Sequence, residues 1–105
     1  MQIQHLIDGA EVRSADYFDT VNPATQEVLA QVARGGEKEV DAAVAAAKAA
    51  FPAWAARPAV ERAALLRKLG DLIAKLAPQI AETETLDTGQ VIAQTAKQLV
   101  PRAAD

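Results

Sequence analysis

The sequence predicts an α+β fold in which short β-hairpins precede three to four helices, and three features indicate it. The first 34 residues alternate apolar and polar residues in short runs separated by turn signals, which is typical of strands. A Gly-Gly pair then marks the change to helical spacing. Between Glu37 and Leu76, apolar residues recur every three or four positions, as in amphipathic helices. We therefore expect β-hairpins at residues 1–34 and a helical layer at residues 36–105, with no internal domain boundary.

The first hairpin is predicted around an Asp8-Gly9 turn. Gln2–Ile7 shows a weak alternation of period two, and Glu11–Arg13 follows as the return strand. An Asp-Gly pair favours a type I′ turn because both central positions of that turn require positive φ angles.

A second pair of strands is predicted at Tyr17–Val21 and Glu27–Ala33. The first run is rich in aromatic and β-branched residues, and the second is apolar on parts of both faces, which indicates cover on each side. Between them, Pro23 biases the residue before it away from the helical conformation and cannot donate a ladder hydrogen bond. We therefore expect a turn at Asn22–Thr25.

Two amphipathic helices are predicted between Glu37 and Leu76. The first begins at Glu37, where acidic residues complement the helix dipole, and Pro52 is expected to interrupt it. The second is expected to hold Pro58 in its first turn, the position that tolerates proline best. Each helix carries an apolar stripe, and the two stripes need a common partner. The stripe residues are Val40, Val44, Ala47 and Phe51 in the first helix and Leu65, Leu66, Leu69, Leu72, Ile73 and Leu76 in the second.

Two further helices are predicted towards the end of the chain. Pro78 suits the start of a short third helix, and Gly89 suits its C-terminal cap, because glycine readily adopts the left-handed conformation found there. Gln90–Ala104 has apolar residues at helical spacing. Pro101 removes one backbone donor from this segment and should kink or end the helix.

The composition argues against several classes of function. The 105 residues carry a formal net charge of −3, which gives no electrostatic basis for binding nucleic acid or an anionic membrane, and we expect neither partner. They include no cysteine, so they supply no disulfide, thiolate metal ligand or cysteine nucleophile. No run approaches the roughly 20 apolar residues of a membrane span, and no signal peptide is recognisable, so we expect a cytoplasmic protein.

Few residues are candidates for chemistry. His5 is the only histidine, and it lacks an acidic or cysteine partner at catalytic spacing, so a strand surface residue is the better interpretation than a general acid–base. Glu82, Glu84 and Asp87 form an acidic cluster, which is either a solvated helix face or a place where two carboxylates converge on a cation. Asp87 also follows the apolar spacing, so we expect its carboxylate to face the interior. The sequence shows no phosphate-binding loop and no catalytic set.

Several local strings, in their order and spacing, resemble the N-terminal part of the aldehyde dehydrogenase superfamily. At position 26, after Asn-Pro-Ala-Thr, this chain has Gln26 where that superfamily usually has glycine. The strings are HLIDG at 5–9, TVNPATQEVL at 20–29, VDAAV at 40–44 followed by Phe51 and Trp54, ER at 61–62, LGDLI at 69–73 and ETLDTG at 84–89.

Within the superfamily, ARGGE at 33–37, AFPAWA at 50–55 and LVPRA at 99–103 are most similar to a semialdehyde dehydrogenase of aromatic catabolism, with betaine-aldehyde and other semialdehyde dehydrogenases as alternatives. The resemblance implies a homo-oligomeric parent enzyme that oxidises an aldehyde to an acid with NAD or NADP. In such enzymes a cysteine thiolate attacks the carbonyl, and a glutamate-activated water releases the acid. Because none of these groups is present here, we expect an N-terminal scaffold segment of the dinucleotide-binding domain that neither binds the cofactor nor catalyses the reaction.

The resemblance also implies a monovalent cation site formed by the carbonyl of Val21, at the end of a strand, and the carboxylate of Asp87. The expected partner of the chain is the remainder of the dehydrogenase or a second copy of itself. A competing hypothesis, from the residues alone, is a free-standing α+β interaction module that buries its alanine-rich helical stripes against itself or another protein.

Overall fold

A computed structural model describes residues 1–105 and confirms the α+β class, with five short strands followed by helices. The chain forms two compact units, residues 1–21 with 28–57 and residues 22–27 with 58–105. The strands are β1 (Gln2–Ile3), β2 (His5–Ile7), β3 (Ala10–Val12), β4 (Tyr17–Val21) and β5 (Val28–Ala33). The helices are α1 (Glu37–Ala56), α2 (Ala59–Thr88), α3 (Ile92–Gln94) and α4 (Val100–Arg102), with a π-helical turn at Thr95–Leu99 between the last two.

In the first unit, β5 is the central strand of a three-stranded sheet. It pairs antiparallel with β4 and parallel with β1, and β2 and β3 form a separate hairpin. The predicted strand Gln2–Ile7 is therefore wrong as a single element. The chain breaks at Gln4, whose side-chain oxygen accepts a 2.7 Å hydrogen bond from the Tyr17 hydroxyl. This bond ties the break between β1 and β2 to the start of β4.

Both predicted turns are confirmed. Asp8 and Gly9 have φ angles of 54° and 73°, as a type I′ turn requires. In the second turn, the backbone N–H of Ala24 donates to the Asn22 side chain at 2.9 Å, and the Gln26 N–H donates to the Asn22 carbonyl at 2.8 Å. Gln26 has a φ angle of 65°, in the region where glycine is least strained. The strained position is the one at which the resemblance described above implies glycine.

Helix α1 begins where it was predicted, but it continues through Pro52 to Ala56. The expectation that Pro52 interrupts the helix is wrong, because the φ angle that proline fixes is itself helical and the cost is one lost hydrogen bond and a steric clash. At the other end, the Gly36 N–H donates to the Glu39 carboxylate at 2.8 Å, which satisfies a donor at the helix start.

Helix α2 is one element of 30 residues, so Pro78 lies inside it and does not begin a third helix. Pro58 immediately precedes the first helical residue and does not lie in the first turn, where it was predicted. The helix persists through Pro78 because its neighbours on either side stay packed, with Ala77 half-buried and Ala81 fully buried. The predicted cap at Gly89 is confirmed by its φ of 76° and by its N–H, which donates to the Thr85 carbonyl at 3.0 Å.

The C-terminal helical segment packs on α2 within the second unit. Val100 and Thr95 are buried there, and the Ala104 carbonyl lies so close to Gly70 that a Cβ atom at Gly70 would be 2.7 Å from its oxygen. As predicted, the segment ends next to Pro101, at Arg102. The buried apolar residues of the whole chain are Ala30, Ala33, Ala81 and Val100, so most of the core is alanine. None of the helices combines the length and the hydropathy that a membrane span requires.

Candidate functional site

The structure places Val21, one residue of the predicted cation site, at the end of β4. The register between β4 and β5 shifts there, since Thr20 pairs with Ala30 whereas Val21 pairs with Val28. A β-bulge of this kind leaves one residue of β5, Leu29, outside the ladder. Val21 belongs to the first compact unit.

Asp87, the other predicted ligand, lies in the last turn of α2, in the second unit. Its side chain is exposed, so the expectation that it faces the interior is wrong for this chain. The apolar spacing failed as a guide because the one fully buried residue of α2 is Ala81, whereas most of the leucines that set the spacing are exposed. The cation site at Val21 and Asp87 stays a prediction.

The turn after β4 and the end of α2 meet within the second unit. A Cβ atom built on Gly89 would lie 3.0 Å from Cγ of Pro23, so only a residue without a side chain fits without displacing the proline ring. Glycine is therefore favoured at position 89 for two reasons: the φ angle is left-handed, and the Pro23 ring lies too close for a side chain.

The acidic cluster on α2 does not converge on a metal centre. Glu82 and Asp87 are exposed and Glu84 is half-buried. No group of three or more His, Cys, Asp or Glu side chains is placed to hold a metal ion. Glu84 instead lines an apolar groove of about 290 Å³ between α2 and the C-terminal segment.

His5 has an acidic neighbour that its sequence position did not reveal. A cavity of about 290 Å³ between β2 and the start of α1 is lined by both His5 and Glu39, which are 34 residues apart in the chain. The His5 ring fills the space beside Gly35, and its buried Nε2 has no hydrogen-bond partner. The pKa of Glu39 lies below its ordinary value because its carboxylate accepts hydrogen bonds from the backbone N–H of Gly36 and from its own N–H, with a smaller effect of the His5 charge.

A buried hydroxyl pair joins α2 to the C-terminal helices. Thr95 has no exposed surface, and its Oγ1 lies 2.9 Å from Oγ1 of Thr85 and 3.1 Å from the Ile92 carbonyl oxygen, to which it donates. These hydroxyls satisfy one another and a helix carbonyl, so they stabilise packing and are not available as nucleophiles.

The largest unexplained feature of the surface is apolar. The stripes predicted on α1 and α2 are solvent-exposed over most of their length. The long exposed residues include Val40, Val44 and Phe51 on α1 and Leu65, Leu66, Leu69, Leu72, Leu76 and Ile80 on α2. Exposed apolar area of this extent is typical of a surface that another layer of protein covers. The chain thus offers broad apolar helix faces.

Comparisons with known proteins give this surface its context. 5-Carboxymethyl-2-hydroxymuconate semialdehyde dehydrogenase of Escherichia coli is 56% identical over 103 residues, which are 98% of this chain and 22% of that protein. The structure of HpcC from Thermus thermophilus matches with a TM-score of 0.94 and 43% identity, over 99% of this chain and 20% of that one. A structure of PnpE in complex with nicotinamide adenine dinucleotide matches with a TM-score of 0.93 and 42% identity, over 99% of this chain and 22% of that one.

These matches confirm the predicted resemblance, and they show that the chain spans about a fifth of the length of the proteins it matches. A model described as the aldehyde dehydrogenase family matches residues 10–105, nearly the whole sequence. The chain belongs to the aldehyde dehydrogenase family.

Proposed function

We propose that this chain is the N-terminal part of the dinucleotide-binding domain of an NAD(P)-dependent dehydrogenase that oxidises a semialdehyde to a carboxylic acid in the breakdown of aromatic compounds. The observation that carries the proposal is the 56% identity to a muconate semialdehyde dehydrogenase over 98% of the chain. The matching structure of PnpE is a complex with nicotinamide adenine dinucleotide, which supports a nicotinamide dinucleotide as the cofactor.

In the proposed reaction, the aldehyde and water are converted to the acid while a hydride passes to the nicotinamide, which is the chemistry that the cofactor supplies. The 105 residues do not fit the cofactor or the nucleophile by themselves, since they contain no cysteine and no glycine-rich phosphate loop. The role of this chain is therefore to support the residues that do: its strands and helices supply a framework with broad apolar surfaces on which the rest of the domain packs.

Three finer assignments belong to the same proposal. The parent enzyme acts in the cytoplasm, where its nicotinamide cofactor is supplied, and it is a homo-oligomer. A monovalent cation is held by the Val21 carbonyl and the Asp87 carboxylate, because hard oxygen ligands of these two kinds suit such an ion.

A chimera tests the enzymatic role directly. The matched segment of the Escherichia coli semialdehyde dehydrogenase is replaced by this chain, and aldehyde-dependent formation of NADH is followed by its near-ultraviolet absorbance. We expect a soluble, active chimera, because a scaffold that is 56% identical should present the same packing surfaces. A soluble chimera that has the oligomeric state of the unmodified Escherichia coli enzyme but no activity would contradict the proposal.

The cation assignment has its own control in the same chimera. Asp87→Asn should abolish any dependence of thermal stability on K⁺ or Na⁺, whereas Glu82→Gln, which removes an exposed carboxylate from the same helix, should leave that dependence unchanged. An equal effect of the two substitutions would show that Asp87 has no specific role.

A further inference from the structure

The turn between β2 and β3 brings together two groups that can react with each other. Asp8 is the only aspartate of the chain that is followed by glycine. A side chain on the residue after an aspartate hinders attack of that residue's backbone nitrogen on the aspartate carboxyl group, and glycine has no side chain. Asp8 and Gly9 are both exposed, and a Cβ atom built on Gly9 would have no neighbour within 4 Å. The backbone nitrogen of Gly9 is therefore sterically open.

Neither reacting group is held by another contact. The hydrogen bonds at the end of the hairpin join Ile7 and Ala10, which face each other, so the Gly9 N–H takes no part in the ladder. The Asp8 carboxylate forms no salt bridge and accepts no hydrogen bond. Both groups belong to neighbouring residues, so no other surface has to supply a group to the reaction.

Other aspartates of the chain lack this combination. Asp16 is exposed, but its carboxylate pairs with the Arg34 guanidinium at 2.8 Å, and a tyrosine follows it. Asp41, Asp71 and Asp87 lie in helices, where the next backbone N–H donates to the carbonyl four residues earlier. Asp16 is therefore a natural internal control for Asp8.

We propose that Asp8 is a site of spontaneous isomerisation to isoaspartate through a cyclic imide. The Gly9 nitrogen forms a bond to the side-chain carboxyl carbon of Asp8. The carboxyl group reacts in its protonated form, so its hydroxyl leaves as water with the proton of the Gly9 N–H. Water then adds to one of the two imide carbonyls: opening at the side-chain carbonyl restores aspartate, and opening at the main-chain carbonyl gives isoaspartate. A condensation and a hydrolysis need no oxidant or reductant.

The β2–β3 hairpin should control the rate of this reaction. Closing the imide ring requires rotation about the bond between Cα and the carbonyl carbon of Asp8, and the turn holds that bond in one conformation. The hairpin therefore has to open first. β2 and β3 have three residues each and pair only with each other, and a two-stranded hairpin of this kind is marginally stable. Its local opening costs little free energy, so the reactive conformation is populated in the folded chain.

Isoaspartate at position 8 would dismantle the turn. It adds one carbon atom to the main chain where two residues connect Ile7 to Ala10. The register that pairs His5 with Val12 depends on this turn, so the strands should lose their pairing. Faster hydrogen exchange in β2 and β3 should accompany the conversion. This inference does not rest on the proposed enzymatic function.

Peptide mapping of the aged 105-residue chain tests the proposal. The chain is kept for several weeks at physiological temperature and mildly acidic pH, and is then digested with an endoproteinase that cleaves before aspartate but not before isoaspartate. We expect resistance to cleavage at Asp8 to grow with time, together with a species lighter by one water, while cleavage before Asp16 is unchanged. Asp8→Gly, which leaves a glycine pair suited to the same turn, should not form the lighter species. Complete cleavage before Asp8 after ageing, or equal resistance at Asp16, would overturn the proposal.

A disulfide across the hairpin tests the role of its opening. Leu6 and Glu11 face each other as a non-hydrogen-bonded pair, the arrangement with the closer side chains, and the chain has no native cysteine. The oxidised Leu6→Cys/Glu11→Cys variant should isomerise at least about fivefold more slowly than the same variant after reduction, because the disulfide keeps the strands paired. The reduced form is the matched control, since its sequence is identical. Equal rates would overturn the control by the hairpin. None of these measurements depends on the activity of the chimera.

Discussion

Gly70 provides the sharpest test of how the C-terminal segment is held on α2. It lies inside a long helix, where glycine is normally unfavourable by about 1 kcal/mol relative to alanine. In this structure the Ala104 carbonyl oxygen occupies the space that a side chain would need, at 2.7 Å from an ideal Cβ position. An ordinary van der Waals contact is roughly 0.8 Å longer, so Gly70→Ala forces the segment away from the helix.

Two opposing terms decide the sign of this substitution. The gain in helix propensity is about 1 kcal/mol, and the cost of overpacking against a backbone atom is about 1–3 kcal/mol. We therefore expect Gly70→Ala to lower the free energy of unfolding by about 1 kcal/mol. In a chain shortened to residues 1–102 the opposing carbonyl is gone, and the same substitution should raise the free energy of unfolding by about 1 kcal/mol.

The measurement is urea unfolding followed by far-ultraviolet circular dichroism, at one protein concentration, for the four chains of this double-mutant cycle. The coupling between the substitution and the truncation should be about 2 kcal/mol. If Gly70→Ala stabilises the full 105-residue chain by the same amount as the shortened one, the close approach of the Ala104 carbonyl does not exist in solution and the reasoning fails.

Three further predictions concern single positions. Gln26→Gly should raise the free energy of unfolding by about 0.5–1 kcal/mol in urea titrations, because it removes the strain of a left-handed φ of 65°. Thr95→Val should cost about 1–2 kcal/mol by leaving the Thr85 hydroxyl without a partner, and replacing both threonines by valine should recover most of that loss. Because the pKa of Glu39 is lowered in the folded chain, its stabilising effect is complete above the ordinary carboxylate pKa near 4.5 and is lost as the pH falls through the lower folded value. Thermal unfolding measured from acidic to neutral pH should show that Glu39→Gln flattens this acid dependence.

The residue types at a position were sufficient to predict the turns and helix ends that depend only on local backbone geometry. Asp8-Gly9 specified its turn and Gly89 its helix end, because few residues other than glycine, asparagine and aspartate adopt positive φ angles at low cost. The same reasoning explains Gln26, where a residue with a side chain occupies a position that favours glycine.

The prolines show where local reasoning fails. Pro52 and Pro78 both lie inside helices. The φ angle that proline fixes is itself helical, so each proline costs one hydrogen bond and a steric clash, and around Pro78 the packed residues Ala77 and Ala81 offset that cost. Whether a proline ends a helix therefore depends on the packing around it, such as the complete burial of Ala81 three residues after Pro78. No spacing rule contains that information.

The candidate site was less predictable than the fold for a related reason. Apolar spacing identified the stripe faces correctly, but it wrongly placed Asp87 in the interior, because a periodic pattern indicates which residues share a face and not whether that face is covered. The exposed leucines of α2 make the same point: their spacing requires a partner, and the 105 residues do not supply one. Family membership came from strings of residues whose order resembles a known enzyme.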